Sequence, residues 1–229
     1  MSDFWKEFWI NHSRATASDH LQRQVLRTKN KQPISDTIFQ EILKDIEEKI
    51  EVNRDDTVLD LCCGNGLITT YLAPKCAKII GVDFAQELTL QIDLEKHPNI
   101  SIIISDMKKV QFEEESFDKA IIYSGLQYLT LKEAIHFFES AIKWLKRDGL
   151  FFAGDVPDSN HLWDFSDNDE RQAAYFDALK NDIPFIGTWF EPEWLKNLGK
   201  YVGFTQVDIL AQPTNLPYSH YRFDMLLRK

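Results

Sequence analysis

VLDLCCGNGLITTYLA, residues 58–73, is an apolar run that breaks on two cysteines and a Gly-Asn-Gly turn, then resumes with helical spacing. Short runs rich in β-branched and aromatic residues are characteristic of strands buried on both faces. Four more follow: KIIGVD (78–83), NISIIIS (99–105), FDKAIIYS (117–124) and GLFFAGD (149–155). Helical stretches at 66–73, 86–96 and 131–147 separate them. This alternation predicts an α/β fold, an open, doubly wound, mostly parallel sheet with helices on both faces. Upstream, Phe4, Trp5, Phe8 and Trp9 recur at helical spacing, and Ile38, Ile42, Ile46 and Ile50 repeat every four residues behind Pro33 and the cap candidate Ser35. Downstream the rhythm changes. Residues 156–190, rich in aromatics and acids, read as an insertion after the fifth strand. A helix near 192–201 and strands at 204–210 and 219–228 follow, the last two pairing antiparallel across the tight Gln212–Pro217 connection. The expected organisation is an N-terminal helical cap (1–50) and a seven-stranded sheet domain (51–229), with the 156–190 insertion completing the cap.

The chain has 229 residues, 44% of them apolar, with a net charge of −10. That length suits one large domain with an embellishment. The negative field disfavours nucleic acid and anionic membranes as partners. The start, MSDFWKEFWINHSR, lacks the unbroken apolar run of a signal peptide. No stretch approaches the roughly 18 apolar residues of a membrane span, so a cytoplasmic location is expected. Three cysteines (Cys62, Cys63, Cys76) without CxxC spacing form neither a disulfide framework nor a zinc knuckle. Neighbouring strand side chains point to opposite faces, which makes Cys62 and Cys63 poor joint ligands, and no metal is expected.

In a doubly wound sheet the ligand lies beyond the carboxyl ends of the strands, where strand order reverses. Glycine permits positive φ and close backbone approach, and the helix that follows exposes free N–H groups. The loop Cys62-Cys63-Gly64-Asn65-Gly66 is therefore a cradle for a nucleoside-bearing cofactor. The dinucleotide fingerprint GxGxxG needs a third glycine where this chain has Thr69. The second strand ends in Asp83, able to accept both ribose hydroxyls, and the third ends Ser105-Asp106-Met107, an acid and an apolar side chain suited to the edge and face of an adenine.

On these residues the sequence resembles class I S-adenosylmethionine-dependent methyltransferases with a Rossmann-like fold, of the small-molecule type. Asp60-Leu61-Cys62-Cys63-Gly64-Asn65-Gly66 matches the family's (D/E)xGxGxG loop, with Cys62 for its first glycine. Gly81-Val82-Asp83-Phe84 resembles the ribose-binding strand end and Ser105-Asp106-Met107 the adenine-binding one. Ser116-Phe117-Asp118 through Tyr128-Leu129 resembles the fourth strand and its loop. Leu145 to Leu150 resembles the L-(K/R)-P-G-G entry to the fifth strand, with Asp148 and Leu150 for proline and the second glycine. The resemblance implies S-adenosyl-L-methionine as cofactor and S-adenosyl-L-homocysteine as product. It also implies a cofactor site of Asp60, Cys62, Cys63, Gly64, Asn65, Gly66, Asp83, Phe84, Asp106, Met107 and Ser124. The alternatives are an NAD(P)-dependent oxidoreductase, for which Tyr71–Lys75 and Tyr128–Lys132 supply Tyr-x-x-x-Lys spacings, and a non-catalytic adenosylmethionine-binding protein.

Base methylation of nucleic acid would call for an (N/D/S)PP(Y/F) tetrad after the fourth strand, where this chain reads Ser124-Gly125-Leu126-Gln127. The expected acceptor is therefore an O or N atom of a small molecule, taken by a monomer or homodimer. Tyr128 and His220 are the candidate catalytic groups, His220 because imidazole titrates near neutrality. Trp9, His12, Arg14, Trp163, Trp189, Tyr218 and Tyr221 are the candidate acceptor contacts. Their hints about acceptor charge conflict: the 14–31 segment is basic and the 156–190 insertion acidic.

Overall fold

The computed structural model describes residues 2–17 and 19–229. Its main sheet consists of β1 (Thr57–Leu61), β2 (Lys78–Asp83), β3 (Ile100–Ile104), β4 (Phe117–Tyr123), β5 (Leu145–Pro157), β6 (Gln206–Ala211) and β7 (Arg222–Arg228). The spatial order is β3-β2-β1-β4-β5-β7-β6. The first five strands are parallel, and β7 lies antiparallel between β5 and β6. Order reverses between β1 and β4, so the crevice beyond their carboxyl ends is where a ligand belongs. The fold is the class I Rossmann-like one.

Apolar residues cover both faces. Phe117, Phe138, Trp144, Phe151 and Leu195 lie in the core on one face; Ile42, Ile46, Ile50, Ile79, Ile121 and Phe152 on the other. The isoleucine stripe lies on α3 (Asp36–Ile50), and the Ser35 hydroxyl accepts the Ile38 N–H as its cap. Helix α6 (Leu131–Trp144) opens on a Thr130/Glu133 capping box. Helix α9 (Pro192–Val202) begins on Pro192 and stops at Gly203 with φ 108°.

Three expected helices are shorter than their sequence pattern. The first is α4 (Thr69–Leu72), because Pro74 turns the chain into a 3₁₀ turn at Ala73–Lys75. The second is α5 (Gln86–Thr89), after which i→i+3 turns take over and the Asp93 carboxylate accepts the Lys96 N–H. The third ends at Trp144, since Leu145 is already extended and opens β5 opposite Phe117. The last strand starts later than expected. The amides of Ser219 and Tyr221 still close turns onto Leu216 and Tyr218.

The N-terminal segment divides in two. Helix α3 lies in the core layer, whereas α1 (Ser2–Ala15) and α2 (Leu21–Gln24) cross the carboxyl edge of the sheet. The Arg14–Glu87 ion pair at 2.8 Å ties α1 to α5. A two-residue hairpin, Thr28–Lys29 with Gln32–Pro33, joins α2 to α3. The 156–190 insertion leaves and returns at one point: Phe190 N–H bonds the Pro157 carbonyl and Ser159 N–H the Phe190 carbonyl. It carries α7 (Leu162–Phe165) and α8 (Asp169–Lys180). Among the described residues no helix is long and apolar enough to cross a membrane.

Candidate functional site

The β1 loop turns sharply. Cys62, Gly64 and Gly66 have φ of 59°, 55° and 79°, and a Cβ on Gly66 would stand 2.5 Å from Ile92, so only glycine fits there. The two cysteine sulfurs pack apart, Cys63 against Gly81 of β2 and Cys62 against Gly125 beyond β4. Both are free, and burial pushes their thiols well above the ordinary range. They are inert space-fillers.

Asp83 ties loop to strand. Its carboxylate accepts Gly64 N–H at 2.9 Å and Ala85 N–H at 2.8 Å. Burial raises its pKa and these amides pull it back. Asp60, 2% exposed, accepts the Thr69 hydroxyl at 2.6 Å. Burial, with a smaller contribution from Asp83, pushes its carboxyl up to about 7.

A cavity partly open to solvent lies at these strand ends. Its floor is Cys62, Cys63, Gly64 and Asn65, its sides Asp83, Phe84 and Ser124, and its roof Trp9, Val25 and Arg27. The roof is fastened to the loop: the Asn65 amide donates to the Leu21 carbonyl at 2.8 Å and to the Gln24 side chain at 2.9 Å. Asp60 and Gly66 support the floor from beneath and do not line it. Asp106 and Met107 are also kept from it. The Asp106 carboxylate accepts the Lys108 N–H in its own turn and lines a neighbouring groove with Lys6, Lys108 and Glu133. Met107 is buried with its sulfur 3.4 Å from that of Cys62.

A second cavity adjoins the first, with Trp9, Val25, Arg27, Ser124 and Tyr128 common to both. Trp5, Phe8, Tyr218 and Tyr221 supply its walls, and Asp155 and Arg222 lie in its lining. Asp155, 2% exposed, receives Arg27 at 2.9 Å, Arg222 at 3.4 Å and the Ser124 hydroxyl. Arg27 also donates to the Ser124 hydroxyl at 2.8 Å, and Arg222 to the Gln127 side chain at 2.8 Å. Burial alone would raise the Asp155 carboxyl, but Arg222 and Arg27 outweigh it and hold the group below the usual carboxylate range. Ser124 and Asp155 are both left-handed, φ 55° and 60°, and such backbone strain in non-glycine residues collects at functional sites. Deeper in, Lys49 pairs with Asp224 at 2.7 Å, and Gln212 donates to Asp224 at 2.9 Å.

Tyr128 stands at the boundary, its ring 4.9 Å from that of Trp5 and 6.1 Å from that of Trp9. Burial pushes its phenol up to about 12, so it is a neutral hydrogen-bond donor at physiological pH. The catalytic expectation for His220 is corrected: its ring is exposed on the turn before β7 and lines neither cavity. The chain is still turning there, so that Tyr218 and Tyr221 face inward on either side of it while His220 faces out. Of the expected acceptor contacts, Trp9, Tyr218 and Tyr221 line the second cavity. His12 does not: it stacks on Phe8, with its Nε2 3.2 Å from the Arg23 carbonyl. Arg14 is spent on Glu87, Trp163 is exposed beside Tyr175 and Phe176, and Trp189 sits behind Tyr221. Asp155 and Arg222 were not foreseen, and Arg27 only as one member of a basic segment. The available clue was that GLFFAGD ends in an acid, as the first two strands do.

Residues 58–149 match the family model described as a methyltransferase domain. Among curated proteins, an rRNA adenine N-6-methyltransferase of Bacillus licheniformis is 31% identical over 91 residues, 38% of this chain and 30% of that protein. The ribosomal RNA small subunit methyltransferase A of Clostridium botulinum is 30% identical over 95 residues, 40% of this chain and 34% of that protein. The chain thus spans about a third of the length of these curated relatives. Among solved structures, phosphoethanolamine N-methyltransferase 1 of Haemonchus contortus superposes on 99% of this chain and 48% of its own. The TM-score is 0.70 and the identity 18%.

Proposed function

We propose that this chain, whose residues 58–149 match a methyltransferase domain, moves the methyl group of S-adenosylmethionine to an O or N atom of a small-molecule acceptor. The observation that carries the reading is the position of Asp83. Its carboxylate lines the first cavity, already bonded to the glycine loop through Gly64 N–H, where it can accept the ribose hydroxyls. Phe84 and Leu88 offer apolar surface beside it for the base. The loop backbone from Cys62 to Asn65 would hold the methionine end, and Ser124 and Tyr128 face the side on which an acceptor arrives.

The bound cofactor supplies an electrophilic methyl on a sulfonium, and the protein's work is positioning. Trp9 and Tyr128 divide the two cavities, exclude water from the line between them and fix the approach of the nucleophile. Such alignment is worth effective molarities of about 10⁵ M or more. Tyr128 stays protonated and therefore orients the acceptor rather than taking its proton. The α1–α2 cap and the wall from the 156–190 insertion enclose the acceptor side.

Three features support a small acceptor over RNA: the Ser124-Gly125-Leu126-Gln127 loop, the net charge of −10, and an acceptor cavity lined by aromatic side chains. Neither Tyr-x-x-x-Lys pair suits hydride transfer. Tyr71 and Lys75 are both bonded to Glu47, and Lys132 is exposed.

Calorimetric titration with S-adenosylhomocysteine, NAD and NADP tests the reading. Micromolar binding of the first alone is the expected outcome, and dinucleotide binding alone would sink it. Binding of the first with no methyl transfer to any acceptor would leave a non-catalytic binder. Asp83→Ala is expected to weaken S-adenosylhomocysteine by about tenfold or more, from lost charge-assisted hydrogen bonds. A folded variant with unchanged affinity would remove the ribose assignment.

A further inference from the structure

The donors and charges of the second cavity do not balance. Arg27 and Arg222 are both buried, their side chains 10% and 9% exposed, and they share the single carboxylate of Asp155. Asp224 cannot serve them, because it is already bonded to Lys49 and Gln212. Among the described residues, three buried donors of this cavity lack an acceptor of good geometry: the indole N–H groups of Trp5 and Trp9 and the Nε–H of Arg222, the second and third having only the Tyr128 and Tyr221 hydroxyls nearby. Indole and guanidinium nitrogens donate only, so water, a carboxylate or a phosphate satisfies them and a cation does not. Buried polar groups in folded proteins are paired as a rule, and an orphan at a cavity wall marks a missing partner.

We propose, building on the methyltransferase reading, that the acceptor carries an oxyanion, a carboxylate or a phosphate, on a flat apolar body. The oxyanion docks on Arg222 and the indole N–H groups of Trp5 and Trp9. The body lies among the rings of Phe8, Tyr128, Tyr218 and Tyr221, with its nucleophile toward Tyr128 and the first cavity. The acidic insertion does not contradict this. From Asp164 on its carboxylates are exposed and line no part of the cavity, and two of them are paired outside it, Asp164 with His161 and Asp167 with Arg171. Asp155 alone among the described carboxylates lines the cavity, and it is already matched to the arginines. An ammonium acceptor would meet an excess of buried positive charge.

The test uses the full chain with and without S-adenosylhomocysteine and four probes: benzoate, phenyl phosphate, neutral benzamide and cationic benzylamine. Tryptophan fluorescence and calorimetry are the readouts. Benzoate or phenyl phosphate is expected to bind at least tenfold more tightly than benzamide or benzylamine, and the tighter of the two identifies the oxyanion. Arg222→Met should weaken that anion by about tenfold or more and leave S-adenosylhomocysteine affinity unchanged. Trp9→Phe keeps the ring, loses one donor and should weaken the anion several-fold, so it serves if Arg222→Met does not fold. Benzylamine or benzamide binding as tightly as the anions, no binding of either anion, or variants that keep full anion affinity would each overturn the proposal. Failure of S-adenosylhomocysteine to bind would instead overturn the cofactor reading, since the anions are titrated without it as well.

Discussion

Replacing Asp155 by alanine is expected to destabilise the fold by about 3–5 kcal/mol, the cost of leaving a buried charge without its partner. For a chain of this size, that lowers the melting temperature by roughly 10 °C. Two buried guanidinium groups lose their counter-ion, and the Ser124 hydroxyl and Gln212 amide lose an acceptor. Glu87→Ala, which breaks the exposed Arg14 pair, should cost less than about 1 kcal/mol. The pH dependence has a definite sign. The arginines hold the Asp155 carboxyl below its unfolded value. Its contribution is therefore complete above about pH 4 and is lost as the pH falls through the folded value. Thermal unfolding of the two variants side by side checks this, and near-equal losses would contradict it.

Asp60 works in the opposite direction. Its folded carboxyl titrates at about 7, whereas an unfolded chain releases that proton near pH 4. The folded state thus holds the extra proton, and stability falls as the pH rises from about 4 to about 7, then levels off. The accumulated penalty at pH 8 is on the order of 3–4 kcal/mol. Asp60→Asn keeps an acceptor for the Thr69 hydroxyl and removes the charge. It should match the wild type at pH 4 and exceed it at pH 8. Other groups tilt the wild-type profile both ways, Asp83 with Asp60 and Glu133 and Asp118 against it. The difference between wild type and variant isolates Asp60, and a constant difference across this range would refute the assignment.

The sheet was legible because buried parallel strands appear as unbroken apolar runs; Val58–Leu61 and Ile79–Val82 need no distant partner to be recognised. Helix ends were less so. Pro74 ends α4, and i→i+3 turns at Gln91 and Ile92 end α5, through local backbone chemistry that a hydrophobic pattern does not weigh. At the site, the loop Cys62–Asn65 with Asp83, Phe84 and Ser124 was readable, since each lies within a residue or two of a strand end. Asp106 and Met107 share that position, yet the turn after β3 directs them elsewhere. The Arg27–Asp155–Arg222 cluster was illegible for a different reason: its members lie 128 and 67 positions apart, joined only by tertiary folding. Arg222 stands two residues beyond His220, and the start of β7 decides which of them faces inward.

Trp9, Val25, Arg27, Ser124 and Tyr128 form a party wall between the two cavities. A ligand that sets these five side chains on one side has prepaid part of the ordering that a ligand on the other side needs. Heterotropic coupling follows, and by linkage it is reciprocal: an inert acceptor analogue that tightens S-adenosylhomocysteine must be tightened by it in the same ratio. Spent cofactor and fresh acceptor would then hold each other in a dead-end complex. Inhibition by excess acceptor is the steady-state signature this wall would leave.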